Sequence, residues 1–384
     1  MIFTIEALDA SEGDCLLLHH GAPDAPAHVL IDGGPARTYN RALAPRRPAR
    51  RAARGLSDRD PVPHGLVVLT HVDDDHVAGL LKLFEALADA RDARQPALVE
   101  VAELWHNAFD DLVGQDQVEA ALRYLERLPV DDPHGTVAGT RQGRDLRDLA
   151  RRLGVAVNAP FRGLIARPDD AAIVVDHHDL RLTVLGPTRA ELSAYQARWD
   201  RDLREGGLAG ASLDTSVFNL SSVMLLAESG RRRALLAGDG RGDHLLAGLL
   251  AAGRLDPDDP ASTFHVDVFK LPHHGSVRNV TPELLRRVTA DTYILSANGK
   301  HQNPDVETLD MLAEARGDAP YTLVCTFPAE AYKDVDADAD AERHQALRAI
   351  DRWLRARPEG HPTVVHRDRD ELGVRVELGD DPSP

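Results

Sequence analysis

The sequence of 384 residues predicts a mixed α/β (α+β) fold with two β-sheets. Short runs typical of β-strands recur along the chain, from IFTIEAL near the N-terminus to GVRVEL near the C-terminus. Helical patterns separate several of them; Leu80, Phe84 and Leu87, for example, share one face of a predicted helix. The first strands follow one another closely enough to pair as hairpins, which argues against an all-parallel sheet.

The organisation predicted along the chain is one main domain followed by an extension. Residues 1–320 form the main domain, and residues 321–384 form an extension that packs on it. Two stretches look like insertions: residues 35–63 are rich in Pro and Arg, and residues 129–170 show little periodicity. We predict further helices over 118–128 and 281–288, a helical segment over 336–356, and a final hairpin that turns near 370–373.

Composition and charge limit the classes of function. The net charge of -17 argues against a protein that coats nucleic acid by bulk electrostatics, although a local basic lip is compatible with it. Cys15 and Cys325 stand far apart, so neither a disulfide framework nor a thiolate zinc site is supported. No secretory signal precedes the first strand and the apolar runs are too short to span a bilayer, so we expect a cytoplasmic protein without membrane contact.

The stretch LTHVDDDHVAGL at 69–80 crowds two histidines and three aspartates between a predicted strand and a predicted helix. Adjacent carboxylates repel one another, so they are either solvated or held by a cation. His71, Asp73, Asp75 and His76 are a dense set of potential metal ligands. The alternative is an acidic helix cap exposed to solvent, because Asp is favoured at the start of helices.

Three other strand ends carry residues of the same kind. Asp239 lies in the glycine-rich turn of LLAGDGRG, His273 and His274 follow the run VFKLP, and Asp32 follows HVLI beside two glycines. Taken singly, each is also compatible with an ordinary turn residue. Loops at strand ends are where α/β sheets build their sites, so the four stretches together favour a shared metal site.

As a set, these motifs resemble the metallo-β-lactamase fold hydrolases, and within them the branch that includes the metallo-hydrolase domain of ComEC. The family's H-x-H-x-D-H loop corresponds to residues 71–76, its T-G-D to 237–239 and its H-H-G-S to 273–276, which ends at Ser276. The first-strand I-D-x-G corresponds to 31–34, and residues 298–304 (NGKHQNP) resemble the branch's G-H-P-H-P segment, with His301 and Asn303 at the histidine positions. The resemblance covers roughly residues 1–310.

The resemblance implies a four-layer αββα sandwich with a metal cleft at one edge of its sheets. It makes Asp75, His76 and His274 ligands of one divalent ion, assigns His71 and Asp73 to a second, and makes Asp239 the bridging carboxylate. His273 would orient a ligand, and Asp32 and Ser276 would line or support the site. His301 is a candidate proton donor or substrate contact, with Asn303 beside it.

Two departures from the family pattern bear on the metal. Asp73 stands where histidine is usual, and Asn219 stands near the position of a further histidine ligand in many members. Oxygen-rich sites favour harder cations, so Mn²⁺ becomes an alternative to Zn²⁺, with one ion or two. Trp105, His106 and Asn107 end another strand; they are candidates for lining the cleft, or for ordinary packing in the case of Trp105.

The resemblance and the metal ligands predict a hydrolase that uses a metal-activated water, with Asp75, Asp239 and His301 as its catalytic groups. Arginines are concentrated between Gly33 and Ser57 without an intervening acid: Arg37, Arg41, Arg46, Arg47, Arg50, Arg51 and Arg54. A basic flap beside a metal site favours a phosphodiester substrate in nucleic acid or a nucleotide. The alternatives are a small-molecule hydrolase acting on a lactone or thioester, and a non-catalytic sensor with a degraded site.

Overall fold

The fold consists of two β-sheets packed face to face, with helices on both outer faces. The computed structural model describes residues 1–46, 55–57, 60–97, 99–108, 111, 136–204, 220–334 and 340–379. Among these residues, the first sheet has seven strands and the second has eight. The sequence therefore predicted the fold class correctly.

The first sheet begins with antiparallel hairpins and continues with parallel strands. Its members are β1 (Ile2–Leu8), β2 (Leu16–Gly21), β3 (Ala27–Ile31), β4 (Val62–Val68), β5 (Val99–Trp105), β6 (Ala156–Val157) and β15 (Gly373–Glu377). The pairs β15–β1, β1–β2 and β2–β3 are antiparallel, as the short connections of the first strands predicted. The pairs β3–β4, β4–β5 and β5–β6 are parallel.

The second sheet has the same mixed character. Its members are β7 (Ile173–His177), β8 (Leu180–Gly186), β9 (Met224–Ser229), β10 (Arg232–Leu236), β11 (Phe264–Lys270), β12 (Val288–Leu295), β13 (Thr322–Cys325) and β14 (Thr363–His366). Strands β7 to β10 pair in antiparallel fashion, whereas β10 to β14 pair in parallel. Both sheets therefore contain parallel strands whose C-terminal ends can share one edge.

Helices cover the two outer faces. Two helices cover the first sheet: α1 (Asp74–Asp92) and α2 (Thr136–Leu153). The helices on the side of the second sheet are α3 (Arg189–Arg204), α4 (Gly242–Ala251), α5 (Pro282–Arg287), α6 (Val306–Arg316) and α7 (Ala341–Arg355). Shorter helical segments occupy 36–38, 39–43, 272–275, 300–302 and 331–334. Among the described residues, no helix has both the length and the apolar character needed to cross a membrane.

Three apolar clusters hold the layers together. The central cluster lies between the sheets and contains Ile5 of the first sheet and Val268 of the second. A second cluster packs Phe84 of α1 against the first sheet, and a third packs Leu249 of α4 against the second. Burial of apolar surface is the main driving force for folding, so this αββα layering follows from strands that are apolar on both faces.

Two details of the predicted organisation are wrong. The segment 129–170, expected to have little periodicity, contains α2, where Leu146 and Ala150 are buried one helical turn apart against α1. The predicted final hairpin does not form, because β14 joins the second sheet and β15 pairs with β1 of the first. Helix α5 matches its prediction: Thr281 caps it by accepting a hydrogen bond from the Leu284 amide. The helix predicted over 118–128 lies outside the described residues.

Candidate metal centre

The candidate site lies where parallel strands of both sheets end. Asp32 follows β3, His71 follows β4, Asp239 follows β10, and His273 and His274 follow β11. All of these side chains except that of His273 are almost completely buried. These residues, which the sequence analysis assigned to separate strand ends, thus come together at one edge of the sandwich.

The three consecutive aspartates have different environments. Asp73 occupies the N-cap position of α1, but its side chain makes no capping hydrogen bond, and its Oδ2 lies 3.6 Å from Nε2 of His71. Asp75 points towards the same cluster, with Oδ2 at 3.4 Å from Nε2 of His274. Asp74 also lines the cleft, but its Oδ1 accepts a hydrogen bond from Gln142 of α2. The geometry therefore favours a metal site over a solvated helix cap for Asp73 and Asp75.

In three of the histidines, Nδ1 makes a hydrogen bond within the protein. Nδ1 of His76 lies 2.9 Å from Oδ2 of Asp32, and Nδ1 of His274 lies 2.8 Å from the carbonyl oxygen of Ser296. Nδ1 of His71 lies 3.1 Å from Oγ1 of Thr70. Such contacts hold a proton on Nδ1, so Nε2 is the nitrogen that can bind a metal ion once it has lost its own proton to make room for the ion.

The three Nε2 atoms converge on the carboxylate of Asp239. They lie 3.7 Å from it for His71, 3.4 Å for His76 and 3.5 Å for His274. All three are buried without a hydrogen-bond partner, as are Oδ1 of Asp73 and Oδ1 of Asp239. Buried polar atoms are normally satisfied, so a group of them that face one another fits a binding site for a cation.

Among the described residues, four sets of ligand atoms are compact enough to hold an ion, and two of these consist entirely of predicted ligands. One consists of His71, His76 and Asp239, and the other of Asp75, His76 and His274; in each set the ligand atoms lie within 4.8 Å of one another. Both sets combine imidazole nitrogen with carboxylate oxygen, which suits Zn²⁺ and Mn²⁺. The residues present therefore fit a divalent metal.

The charges in the cluster stabilise each other strongly. Burial tends to lower the pKa values of His76 and His274, but the carboxylates, above all Asp239, raise both pKa values well above the usual range. Burial tends to raise the pKa values of Asp239 and Asp75, and the neighbouring imidazolium charges hold both below the usual range. The cluster therefore retains its carboxylates as anions and attracts positive charge.

A cleft of about 560 Å³ opens over the cluster. His273 lies at its wall, with Nδ1 at 2.7 Å from Asn279 and Nε2 at 3.7 Å from Asp239. Asn279 also donates a hydrogen bond to the carbonyl oxygen of Asp239. Other predicted residues that line the cleft are Ser276, His301 and Asn303. His273 thus occupies a position suited to orienting Asp239.

Asp14 and Lys270 were not identified from the sequence, although both adjoin the cluster: Asp14 lies close to His274, and Lys270 lies close to Asp239. Both are almost completely buried and form an ion pair. Burial tends to raise the pKa of Asp14, but the charges of Lys270, His274 and His76 together outweigh this effect and lower the pKa to about 2. A signal was present: lysine seldom occupies the end of an apolar strand such as β11 unless its charge is paired.

Several predicted residues do not contribute to the cleft. Trp105 packs between the sheets against Phe161, at 4.8 Å between ring centroids. His106 binds the carbonyl oxygen of Gly143, and Asn107 binds the backbone of Ile165. These three residues therefore stabilise the fold. Asn219 lies outside the described residues.

The arginine-rich stretch is described only in part. Arg37 pairs with Glu12, Arg41 with Asp9, and Arg46 with Glu6. Arg47, Arg50, Arg51 and Arg54 lie outside the described residues. The described arginines of this stretch thus meet acidic partners, and among them Arg37 is next to the cleft through Glu12.

The fold and the site define a class of protein: a four-layer αββα sandwich that carries a metal-competent His/Asp cluster at the edge of its sheets, as the resemblance to the metallo-β-lactamase fold implies. No family model matches the chain, and no curated protein sequence matches it. Zn²⁺-bound PqqB from Methylobacterium extorquens is similar in structure, with 13% identity over 95% of this chain and 87% of that one and a TM-score of 0.38. CmlA, a diiron β-hydroxylase from Streptomyces venezuelae, shows 14% identity over 98% of this chain and 54% of that one, with a TM-score of 0.37. At these values neither structure assigns a ligand or a reaction to this chain.

Proposed function

We propose that the protein is a divalent-metal-dependent hydrolase, and that its substrate is a phosphodiester in a nucleotide or a nucleic-acid strand. The observation that carries this proposal is the convergence of three unpartnered imidazole nitrogens on the buried carboxylate of Asp239. A bound divalent ion would supply Lewis acidity and lower the pKa of a water molecule towards neutrality. The ComEC-like motifs favour the phosphodiester bond among the substrates open to such a site.

We assign the following roles to the residues of the cluster. His71 and Asp73 would hold one ion and Asp75, His76 and His274 another, with Asp239 between them as the bridging ligand. Asp75 is half-buried at the mouth of the cluster, so its carboxylate can also accept a proton from an attacking water molecule. His301 is exposed and lines the cleft, which supports a role as proton donor to a leaving group.

The size of the cleft and its few cations support a small substrate rather than a long duplex. Arg278 and Lys300 are the permanent cations among the described residues that line it, and Lys300 already contacts Glu12 at 3.0 Å. The described arginines of the 33–57 stretch are paired with acids, which limits the basic surface available for a polymer. The cleft volume of about 560 Å³ falls within the range of small-molecule sites.

The test is a phosphodiester screen with protein stripped of metal and then supplied with Zn²⁺ or Mn²⁺. The substrates are bis(p-nitrophenyl) phosphate, cyclic nucleotides, and single- and double-stranded DNA and RNA. We expect Asp239→Asn and His274→Ala to lose more activity than the roughly 100-fold typical of residues that only orient a ligand. Glu85→Gln is the matched control, because Glu85 is an exposed partner of Lys82 on α1 and does not line the cleft.

Two alternatives make different predictions in the same assays. A hydrolase of lactones or thioesters would turn over those esters and not phosphodiesters, and Arg278→Gln would leave its KM unchanged. If the substrate is a polynucleotide, replacing the arginines of residues 37–54 by glutamine should lower its turnover and its sensitivity to salt. A non-catalytic sensor would take up no stoichiometric ion, or would take one up and remain inert in every assay.

A further inference from the structure

The buried ion pair between Asp14 and Lys270 adjoins the metal cluster without being part of the predicted ligand set. Lys270 ends β11 and is 0% exposed, and Asp14 lies between β1 and β2 and is 1% exposed. Removing two charges from water is costly, so such a pair is retained only where the surroundings compensate for it. The ion pair contacts the segments that carry Asp239 and His274.

Lys270 binds the turn that carries Asp239. Its ammonium group donates to Asp14 and to the carbonyl oxygen of Gly238 at 3.2 Å, and it lies 3.9 Å from Oδ1 of Asp239. Gly238 has a φ of 51°, a conformation that favours glycine and turns the chain sharply after β10. Lys270 therefore helps to fix the position of the Asp239 carboxylate through its contact with the backbone of this turn.

Asp14 and its neighbour Gly13 contact the other half of the cluster. Oδ1 of Asp14 lies 3.4 Å from Nδ1 of His274, and the carbonyl oxygen of Gly13 accepts a hydrogen bond from Ser296 at 2.7 Å. A Cβ atom at Gly13 would come within 1.8 Å of the carbonyl oxygen of Asp75, so only glycine fits there. This short loop thus packs on the segments that carry two of the proposed ligands.

Asp14 is also close enough to act as a ligand itself. Its carboxylate falls into compact ligand sets with Asp239 and His274, and with Asp32 and His76, within 4.8 Å. Its Oδ1 has no hydrogen-bond partner. The feature that separates it from the proposed ligands is the ammonium group of Lys270 on its other oxygen.

We propose that the Asp14–Lys270 pair positions Asp239 and His274 for metal binding, and that Lys270, as a fixed cation, keeps Asp14 out of the coordination sphere. The inference rests on the metal site of the proposed function. It makes both members positioning residues, because they act through the ligands and not on the substrate.

The test is Co²⁺ binding to the full chain, measured by competition with a fluorescent chelator and by the visible absorption of the bound ion. The proteins are wild type, Lys270→Met, Asp14→Asn and the double variant that combines both changes. Lys82→Met is the matched control, since Lys82 is an exposed partner of Glu85 on α1. Hydrolysis of bis(p-nitrophenyl) phosphate is recorded in parallel.

We expect Lys270→Met to bind Co²⁺ about 10- to 100-fold more weakly, as for other residues that orient ligands. Its absorption spectrum should change, because Asp14 without its counter-cation can join the metal. The double variant should regain the wild-type spectrum, since asparagine at position 14 competes poorly for the metal, while its affinity stays low. Lys82→Met should match wild type in both measurements.

Wild-type affinity and spectrum in both Lys270→Met and the double variant would overturn the inference. If Lys270→Met alone fails to fold, the double variant, which buries no unpaired charge, decides the matter by its affinity. A wild-type protein that binds Co²⁺ but hydrolyses nothing contradicts the proposed function and leaves the inference standing. A wild-type protein that binds no Co²⁺ overturns both.

Discussion

Oδ2 of Asp32 accepts hydrogen bonds from Nδ1 of His76 at 2.9 Å and from Oγ1 of Thr70 at 2.7 Å. Because the Thr70 hydroxyl gives its proton to Asp32, its oxygen is left to accept from Nδ1 of His71, which lies 3.1 Å away. One buried carboxylate therefore sets the tautomer of two imidazoles at the same time. Asp32, at the end of β3, is in this way connected to the His/Asp cluster of the candidate metal site.

Asp32→Asn should weaken metal binding by about 10- to 100-fold, because an amide cannot accept hydrogen bonds at both of its ends. Affinity is measured by competition with a chelator for Zn²⁺ and Mn²⁺. Circular dichroism in the presence of chelator shows whether the variant remains folded. Wild-type affinity in a folded Asp32→Asn protein would show that the carboxylate does not control His71 and His76.

The three consecutive aspartates should differ in their effect on metal content. Asp73→Asn and Asp75→Asn each replace a charged oxygen ligand by a weaker neutral one, so both should lower the metal bound per chain after dialysis. Asp74→Asn should leave it unchanged, because Asp74 bonds Gln142 at 2.9 Å. Elemental analysis of the three proteins checks this; equal losses in all three would point to a general charge effect.

A bound metal ion should stabilise the folded chain, because it binds only the native cluster and its positive charge offsets the repulsion between the carboxylates. At a free concentration 100 times the dissociation constant, one ion contributes about 2.7 kcal/mol to the free energy of unfolding. Thermal unfolding should therefore shift to a higher Tm on adding Zn²⁺ or Mn²⁺, and back on adding chelator. The same shift in the combined variant His76→Ala, His274→Ala would place the stabilising ion elsewhere.

His106 should make the protein less stable in mild acid. Burial, offset in part by the hydrogen bond to Gly143, lowers the pKa of His106 to about 3. Below the pKa of about 6.5 that histidine has in the unfolded chain, the unfolded state binds a proton that the folded state excludes. Stability should therefore fall as the pH drops from about 6.5 towards 3, by at most about 1.4 kcal/mol per pH unit from this group.

Urea unfolding at pH 7, 6, 5 and 4 measures this slope. A His106→Gln variant, which keeps a side-chain donor without a titrating ring, should show a shallower slope than wild type over the same interval. His177, whose pKa burial lowers to about 4, adds to the slope in both proteins and so cancels in the comparison. Parallel slopes for the two proteins would contradict the assignment to His106.

The ends of the strands that carry the candidate ligands were predicted more accurately than the segments around them. Strand ends are marked by apolar runs followed by His, Asp and Gly, so the pattern predicted strand ends at Asp32, His71, Asp239 and His274, and the family resemblance implied that these ends share one edge. Lys270 was missed because its importance lies in a contact with Asp14, 256 positions away in the chain, that no local pattern encodes. Long-range pairing also explains the false hairpin, since β15 turns back to β1.

The central claim is that distant strand ends form a binding site for a divalent ion. The most direct measurement is anomalous X-ray diffraction, at the zinc or manganese absorption edge, from crystals grown with that ion. The account predicts a peak at coordination distance from Nε2 of His76 and a carboxylate oxygen of Asp239. A peak that appears only at surface residues, or the absence of one at saturating metal, would contradict it.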